Sequence, residues 1–148
     1  MHCVILPLTK GPEVGGFNYC IILKIMETNQ VHINWIQRPE RNCLRIEIQG
    51  RLNEENATKA TSKWKEEFSI ALKPGEKANI ICNCSNMTGY DTEARKRWQQ
   101  TISDLKSQIE YLWVVTDSNT IRIAANTMGL LTKFKIKTAK SESEIPEV

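Results

Sequence analysis

The chain has 148 residues, 41% apolar and 25% charged, which suits one domain able to bury a core without disulfide or metal staples. Its formal charge of +3 is too small to imply a nucleic-acid or membrane partner. No apolar run reaches the length of a membrane span. The five cysteines (Cys3, Cys20, Cys43, Cys82 and Cys84) form no C-x-x-C pair, and they read as reduced packing residues of a cytoplasmic protein.

Met1–Leu8 is apolar, but it lacks a basic lead and Pro7 interrupts it, so a signal peptide is not expected. Two readings of residues 1–25 stay open. One is a poorly ordered extension ahead of Met26, where the polar Glu27–Gln30 looks like an ordinary protein start. The other is an extra strand over Phe17–Ile25. The α/β domain itself is expected over residues 26–140.

Val31–Gln37 sets Val31, Ile33 and Trp35 on one face of a strand, and Arg38–Asn42, with Pro39, reads as a hairpin turn. Cys43–Gln49 alternates Leu44, Ile46 and Ile48 with Arg45, Glu47 and Gln49. That period of two marks a half-buried strand, which Gly50 is expected to end. Asn53 then caps a helix whose first-turn Glu54 and Glu55 suit the positive end of the helix dipole. Ala57, Ala60, Trp64, Phe68 and Ala71 recur at helical spacing to about Leu72, and Lys73–Glu76 stops the helix.

Ala78–Cys84 carries the unbroken apolar run Ile80-Ile81-Cys82, as a strand covered on both faces does. Ser85–Tyr90 is expected to be a loop. Asp91 or Thr92 caps a second helix with Ala94, Trp98, Ile102, Leu105 and Ile109 inward. Tyr111–Thr116 is another buried strand, and Ser118 or Asn119 caps a third helix with Ile121, Ala124, Ala125, Met128 and Leu131 inward. Phe134, Ile136 and Thr138 alternate with Lys135 and Lys137 in a final edge strand, where lysines discourage sheet-to-sheet association. Residues 141–148 form an acidic C-terminal tail, expected to be loose. Strands alternating with helices through right-handed crossovers define an α/β class: a single open, mostly parallel sheet of about five strands with three main helices.

Catalytic machinery is not evident. No glycine-rich phosphate loop follows a strand, and the two histidines are His2 and His32. His32 lies opposite Ile33 and reads as solvated, so neither a metal site nor a nucleophile-base pair is expected. No cofactor is expected, and the chain is not expected to be an enzyme.

Open parallel sheets bind beyond the carboxyl ends of their strands. Here Gly50–Asn53, Asn83–Glu93 and Thr116–Thr120 converge there. Asp91, Ser118 and Asn119 read either as helix caps worth about 1 kcal/mol each or as part of an interaction surface centred on Ser85–Asp91. Arg95-Lys96-Arg97 mostly faces solvent beside the inward Ala94 and Trp98, so nucleic acid is not an expected partner. The apolar stripe from Ile121 to Phe134 reads as core packing or, alternatively, as the lining of a ligand pocket.

From Cys43 to Lys137 the chain resembles the STAS, or anti-sigma-factor-antagonist-like, superfamily, and in particular its bacterial STAS/SEC14-like branch. The likeness rests on the strand-helix order and on Gly50-Arg51-Leu52, Asn79–Tyr90 and Trp113–Ala125. In regulatory members of that family a strand ends in Asp, and a D-S-S-G run, phosphorylated on its second Ser, opens the next helix. Asn83 takes the strand-end position here, and Asp91-Thr92-Glu93-Ala94 takes the place of the run, with Glu93 at the phosphoacceptor. A fixed carboxylate cannot toggle as a phosphate does.

The resemblance implies a non-enzymatic module that docks a protein partner around residues 85–93, through Thr88, Tyr90, Asp91, Thr92 and Glu93. Its SEC14-like side implies, as the alternative, a small apolar or lipid ligand between sheet and helices, lined by Ile121, Ala125, Met128 and Leu131.

Overall fold

A computed structural model describes residues 29–38 and 41–146. The extension and extra-strand readings of residues 1–25 lie outside them. The described chain runs β1 (Gln30–Arg38), β2 (Arg41–Leu52), α1 (Glu54–Ala71), β3 (Ala78–Tyr90), α2 (Thr92–Leu105), β4 (Ile109–Val115), α3 (Asn119–Thr132) and β5 (Ile136–Ala139). The five strands form one sheet in sequence order. β1 pairs antiparallel with β2, and every later pair is parallel. The fold class is the one read from the sequence.

Neighbouring parallel strands joined by successive crossovers of one hand place all three helices on the same face. The main core fills the space between. Leu44, Ile46, Ile48, Ile80, Cys82, Leu112 and Val114 meet Trp64 and Phe68 of α1, Trp98 and Ile102 of α2, and Ile121 and Ala125 of α3. Trp64 sits at its centre, edge-on to Phe68 at 6.2 Å and tilted against Trp98 at 5.7 Å. Asn53 and Ser118 cap α1 and α3, accepting from the backbone N–H groups of Asn56 and Ile121.

The helix-free face carries a smaller cluster, Cys43, Ile81, Val115 and Ala139, closed by Ile145. Here the expectation of a loose tail is corrected. Glu142–Glu144 forms a 3-10 turn, Ile145 is only 7% exposed, and Arg45 grips the Glu142 carboxylate with Nη2 to Oε2 at 2.7 Å. The tail reads as polar by composition, but one isoleucine and one glutamate find partners on the bare sheet. Lys137 on the edge strand β5 also has a nearer role than discouraging association: its ammonium lies 4.3 Å from the Tyr111 ring centroid and 5.5 Å from that of Trp113. Ile109, expected on the second helix, opens β4 instead, because α2 ends at Leu105 and a 3-10 turn, Lys106–Gln108, intervenes.

Candidate functional site

Two sequence expectations about the carboxyl rim are corrected by the backbone. Gly50 does not end its strand. It takes φ of +77°, a region open to glycine, and β2 continues to Leu52. Ser85–Tyr90 is not a loop either. It is the outer half of β3, pairing as Gln49↔Asn86, Gly50↔Met87, Arg51↔Gly89 and Leu52↔Tyr90 across two register shifts. Bulges of this kind strengthen local twist and re-aim side chains. The rim is thus a two-stranded ribbon projecting past the sheet.

Arg51 organises it. Its Nε donates to Asp91 Oδ1 at 2.8 Å and its Nη2 donates to the Tyr90 carbonyl at 3.1 Å. The guanidinium lies over Gly89, where a Cβ would come within 2.9 Å of Nη1. The Arg51 N–H donates to Asn29 Oδ1 at 3.0 Å, while Asn56 Nδ2 donates to the Asn29 carbonyl at 3.0 Å. The starts of β1, α1 and α2 and the ends of β2 and β3 meet in this one network.

Asp91 therefore does something other than the capping expected of it. It stands at the N-cap position of α2, but its side chain makes no capping bond and turns to Arg51 instead. Thr88, Thr92 and Glu93 are exposed around it, and Tyr90 is half-buried. Glu93 pairs with Lys96 at 3.3 Å on the solvent side of the helix. The five rim residues lie together on one edge.

The four residues read as ligand-lining separate. Ile121 and Ala125 are buried and, with Met128, line an apolar cavity of about 70 Å³ between sheet, α2 and α3. Cys82, Cys84, Trp98, Leu112 and Val114 form other walls. Leu131 is 57% exposed and lies outside this cavity, so its inward placement is corrected. The inward stripe of α3 runs 121, 125, 128, 132. Leu131 is one residue off it, a turn of about 100° around the helix. It lines, with Met128, a surface groove between α2 and α3. Burial pushes the Cys84 thiol up to about 12 and raises that of Cys82 as well.

A polar cluster on the helix-free face went unread in the sequence. Arg45 bonds both Glu142 and Glu47, and Asn83 Nδ2 donates to Glu142. The hydrogen bond from Arg45 is the largest influence holding the Glu47 carboxyl below the usual range, and the bond to Glu142 raises Arg45 in turn. The strand alternation did show Arg45 and Glu47 on one face; nothing local showed that Glu142 would come to meet them.

Among the described residues no group of His, Cys, Asp and Glu is arranged to hold a metal ion, and no helix is long and apolar enough to cross a membrane.

A strand-helix order of this kind, with helices on one face and helix starts gathered at a rim, is that of the SpoIIAA-like fold. An uncharacterised DUF3478-family protein with a SpoIIAA-like fold from Shewanella loihica PV-4 superimposes with a TM-score of 0.65 at 10% identity, over 78% of this chain and 90% of that one. The anti-sigma factor antagonist SpoIIAA, in its unphosphorylated form, matches with a TM-score of 0.50 at 14% identity, over 77% and 91%. The murine Solute Carrier 26 family member A9 anion transporter matches at 0.50 and 10% identity, with 86% of this chain covering 24% of that one. No family model and no curated protein matches the sequence. At these identities the likeness is one of fold.

Proposed function

We propose that the chain is a non-enzymatic regulatory module that docks a protein partner at the rim through Thr88, Tyr90, Asp91, Thr92 and Glu93. The observation that carries this reading is the Arg51–Asp91–Tyr90 network, which ties a strand end to a helix start and leaves Thr88, Thr92 and the Lys96-paired Glu93 exposed beside it. The likeness to an anti-sigma factor antagonist supports a partner-binding role in general. Glu93 holds the position of the phosphoacceptor and is neutralised by Lys96, so a phosphate switch there is replaced by a constant ion pair. The buried, high-pKa thiols of Cys82 and Cys84 suit a reducing compartment such as the cytoplasm.

The test is recovery of the protein from its own host, in parent form and as Tyr90→Ala and Glu93→Lys, with the co-purifying proteins identified by mass spectrometry. The same proteins recovered in the same yield with all three forms would sink the rim as the docking edge.

One observation favours a second reading, a small apolar ligand: the inner cavity is lined almost wholly by apolar side chains. Its volume of about 70 Å³ is well below the roughly 300 Å³ at which ordinary ligand pockets begin. Such a ligand would have to part α3 from the sheet. Native mass spectrometry of the host-derived protein separates a carried small molecule from a bound protein.

A further inference from the structure

We infer that the sheet face under residues 141–146 is a docking site for a partner segment in which a carboxylate stands three residues ahead of a branched apolar side chain, and that the chain's own tail holds this site closed. The site lies apart from the rim and does not rest on the rim's role.

The strands build a carboxylate receptor without help from the tail. Arg45 of β2 is steered by Glu47, Nη1 to Oε1 at 3.1 Å, and Glu47 takes a further bond from Gln49 at 3.4 Å. That leaves the Arg45 Nε and Nη2 aimed at Glu142, at 3.0 and 2.7 Å from its Oε2. Asn83 of β3 accepts from the Ser85 N–H through its Oδ1 at 3.0 Å, which turns its Nδ2 toward the same carboxylate. Both donors are thus oriented by contacts within the sheet, and a receptor ordered in advance loses less on binding. Beside them lies an apolar socket. Cys43, Ile81 and Val115, each no more than 2% exposed, and Ala139 receive Ile145.

The tail meets this receptor with two side chains. Ser143 and Glu144, between them, are exposed. The turn's backbone bonds are its own: the Glu144 N–H donates to the Ser141 carbonyl and the Ile145 N–H to that of Glu142, both at 3.1 Å. Among the described residues no backbone hydrogen bond ties this turn to a strand. A single 3-10 turn with Glu-x-x-Ile therefore carries everything the face recognises, and a segment of another chain with that pattern presents the same groups.

The same geometry selects the occupant. Two copies of this chain that exchanged tails would swap identical contacts and still lose translational freedom, so exchange is disfavoured. The tethered tail competes at an effective concentration of roughly millimolar. A partner displaces it by matching the pattern and reaching further, and the face continues past the socket to the half-buried Ile36 and Trp113.

The probe is a peptide of residues 140–146, Lys-Ser-Glu-Ser-Glu-Ile-Pro, blocked at both ends. It is titrated into the full-length chain, as parent and as Glu142→Gln/Ile145→Ser, and followed through the backbone amide signals of Arg45, Ile81 and Asn83 in nuclear magnetic resonance spectra. The variant should bind it about tenfold or more tightly than the parent, whose own tail competes. Glu142→Gln or Ile145→Ser within the peptide should each weaken binding severalfold. Arg45→Gln in the variant background should weaken the unaltered peptide and remove its advantage over the Glu142→Gln peptide, which a loss of packing alone would not do. Well-dispersed spectra show that the variants fold, and Glu142→Gln alone, with Ile145 still in its socket, should give a smaller gain in the same direction.

No binding to the folded variant overturns the inference, as does equal affinity for parent and variant or for the three peptides. A parent that sediments as a dimer, and as a monomer with Ile145→Ser, overturns it in favour of exchange between copies. Tyr90→Ala should leave the titration unchanged, so that failure of the rim and failure of this site are read separately.

Discussion

Arg51 and Asp91, forty positions apart in the chain, are joined by a 2.8 Å hydrogen-bonded ion pair that ties the end of β2 to the start of α2. Both side chains are partly open to water, at 56% and 39%, so the pair is screened and weak in energy. Asp91→Ala should therefore cost about 0.5 kcal/mol, less than the loss of a true helix cap. In that background Arg51→Ala should add only the small loss of its exposed bond to the Tyr90 carbonyl. A double-mutant cycle in urea checks this, and additive losses of a full cap's size would show that the two act separately. Gly89→Ala should displace the guanidinium from its seat with a comparably small loss, because the obstructing atom is the end of a flexible side chain.

The docked tail offers a sharper test. Asn83 donates its amide to Glu142, and Arg45 holds the same carboxylate from the other side. Asn83→Asp would set two carboxylates against each other and loosen the tail from Cys43, Ile81 and Val115. Its penalty relative to the parent should be largest at neutral pH and shrink in acid, as one of the two protonates. Ile145→Ala, which removes the apolar anchor, should cost about 2 kcal/mol at every pH. Urea midpoints across pH distinguish the two. The regulatory STAS proteins that this chain resembles carry Asp at this strand end; an Asp beside Glu142 would be poorly tolerated here.

Three carboxylates, Glu47, Glu67 and Asp104, are held below their ordinary range and contribute to the acid limit of stability. Glu47 is held below its ordinary range chiefly by Arg45, and Glu67 by Lys63 first and then by the Trp35 indole, which donates to it at 2.8 Å. A group whose folded pKa is depressed stabilises above its unfolded value, and that contribution disappears as pH falls through the folded one. Stability should thus be level from roughly pH 5 to 8 and decline below about 4.5. Trp35→Phe keeps an aromatic ring on Phe68 but removes the donor, so the decline should become shallower. An unchanged slope in that variant would show that the indole bond contributes nothing.

The helices were legible because their signal is local and repeated. Ala57, Ala60, Trp64 and Phe68 announce one buried face, and all four are buried. The parallel sheet was legible from Ile80-Ile81-Cys82 for the same reason. What escaped depends on distant chain. Gly50 reads as a strand end until its positive φ and the bulged pairing with Met87 and Gly89 show the strand carrying on. Asp91 reads as a cap until Arg51 arrives from another strand. Leu131 reads as inward because a stripe of apolar residues does not say which of two adjacent helix faces is the deeper one. The five rim residues could be brought to one edge from strand order alone, whereas the Arg45–Glu142 contact, ninety-seven positions apart, had no local trace.

Trp64 is fully buried, and its indole Nε1 finds no hydrogen-bond partner among the described residues. An orphaned buried donor forfeits its hydration without return, which offsets part of what the large ring contributes by packing. Trp64→Phe removes the donor and keeps an aromatic ring against Phe68 and Trp98, so it should cost only about 1 kcal/mol despite the lost volume. Trp64→Ala, which leaves a cavity beneath α1, should cost about 3–5 kcal/mol. Chemical denaturation of the two variants gives the comparison, and equal losses would mean that the indole N–H is satisfied in solution.

Cys84 gives a direct reading of whether the inner cavity opens. Its thiol lines the cavity wall and is raised to about 12 by burial, so at neutral pH it is almost wholly protonated and shielded. Alkylation by iodoacetamide should therefore proceed only through opening of the protein, at a rate that rises steeply with added urea. Cys82, raised for the same reason and set on the same wall, should behave alike. Peptide mapping by mass spectrometry follows each site. Val114→Ile, which adds one methylene toward the cavity, should stabilise the fold by up to about 0.8 kcal/mol and slow both reactions together. Rapid, urea-independent labelling of Cys84 in the parent would mean that α3 parts from the sheet in the native state, and that behaviour would favour the apolar-ligand reading over a closed interior beneath a docking surface.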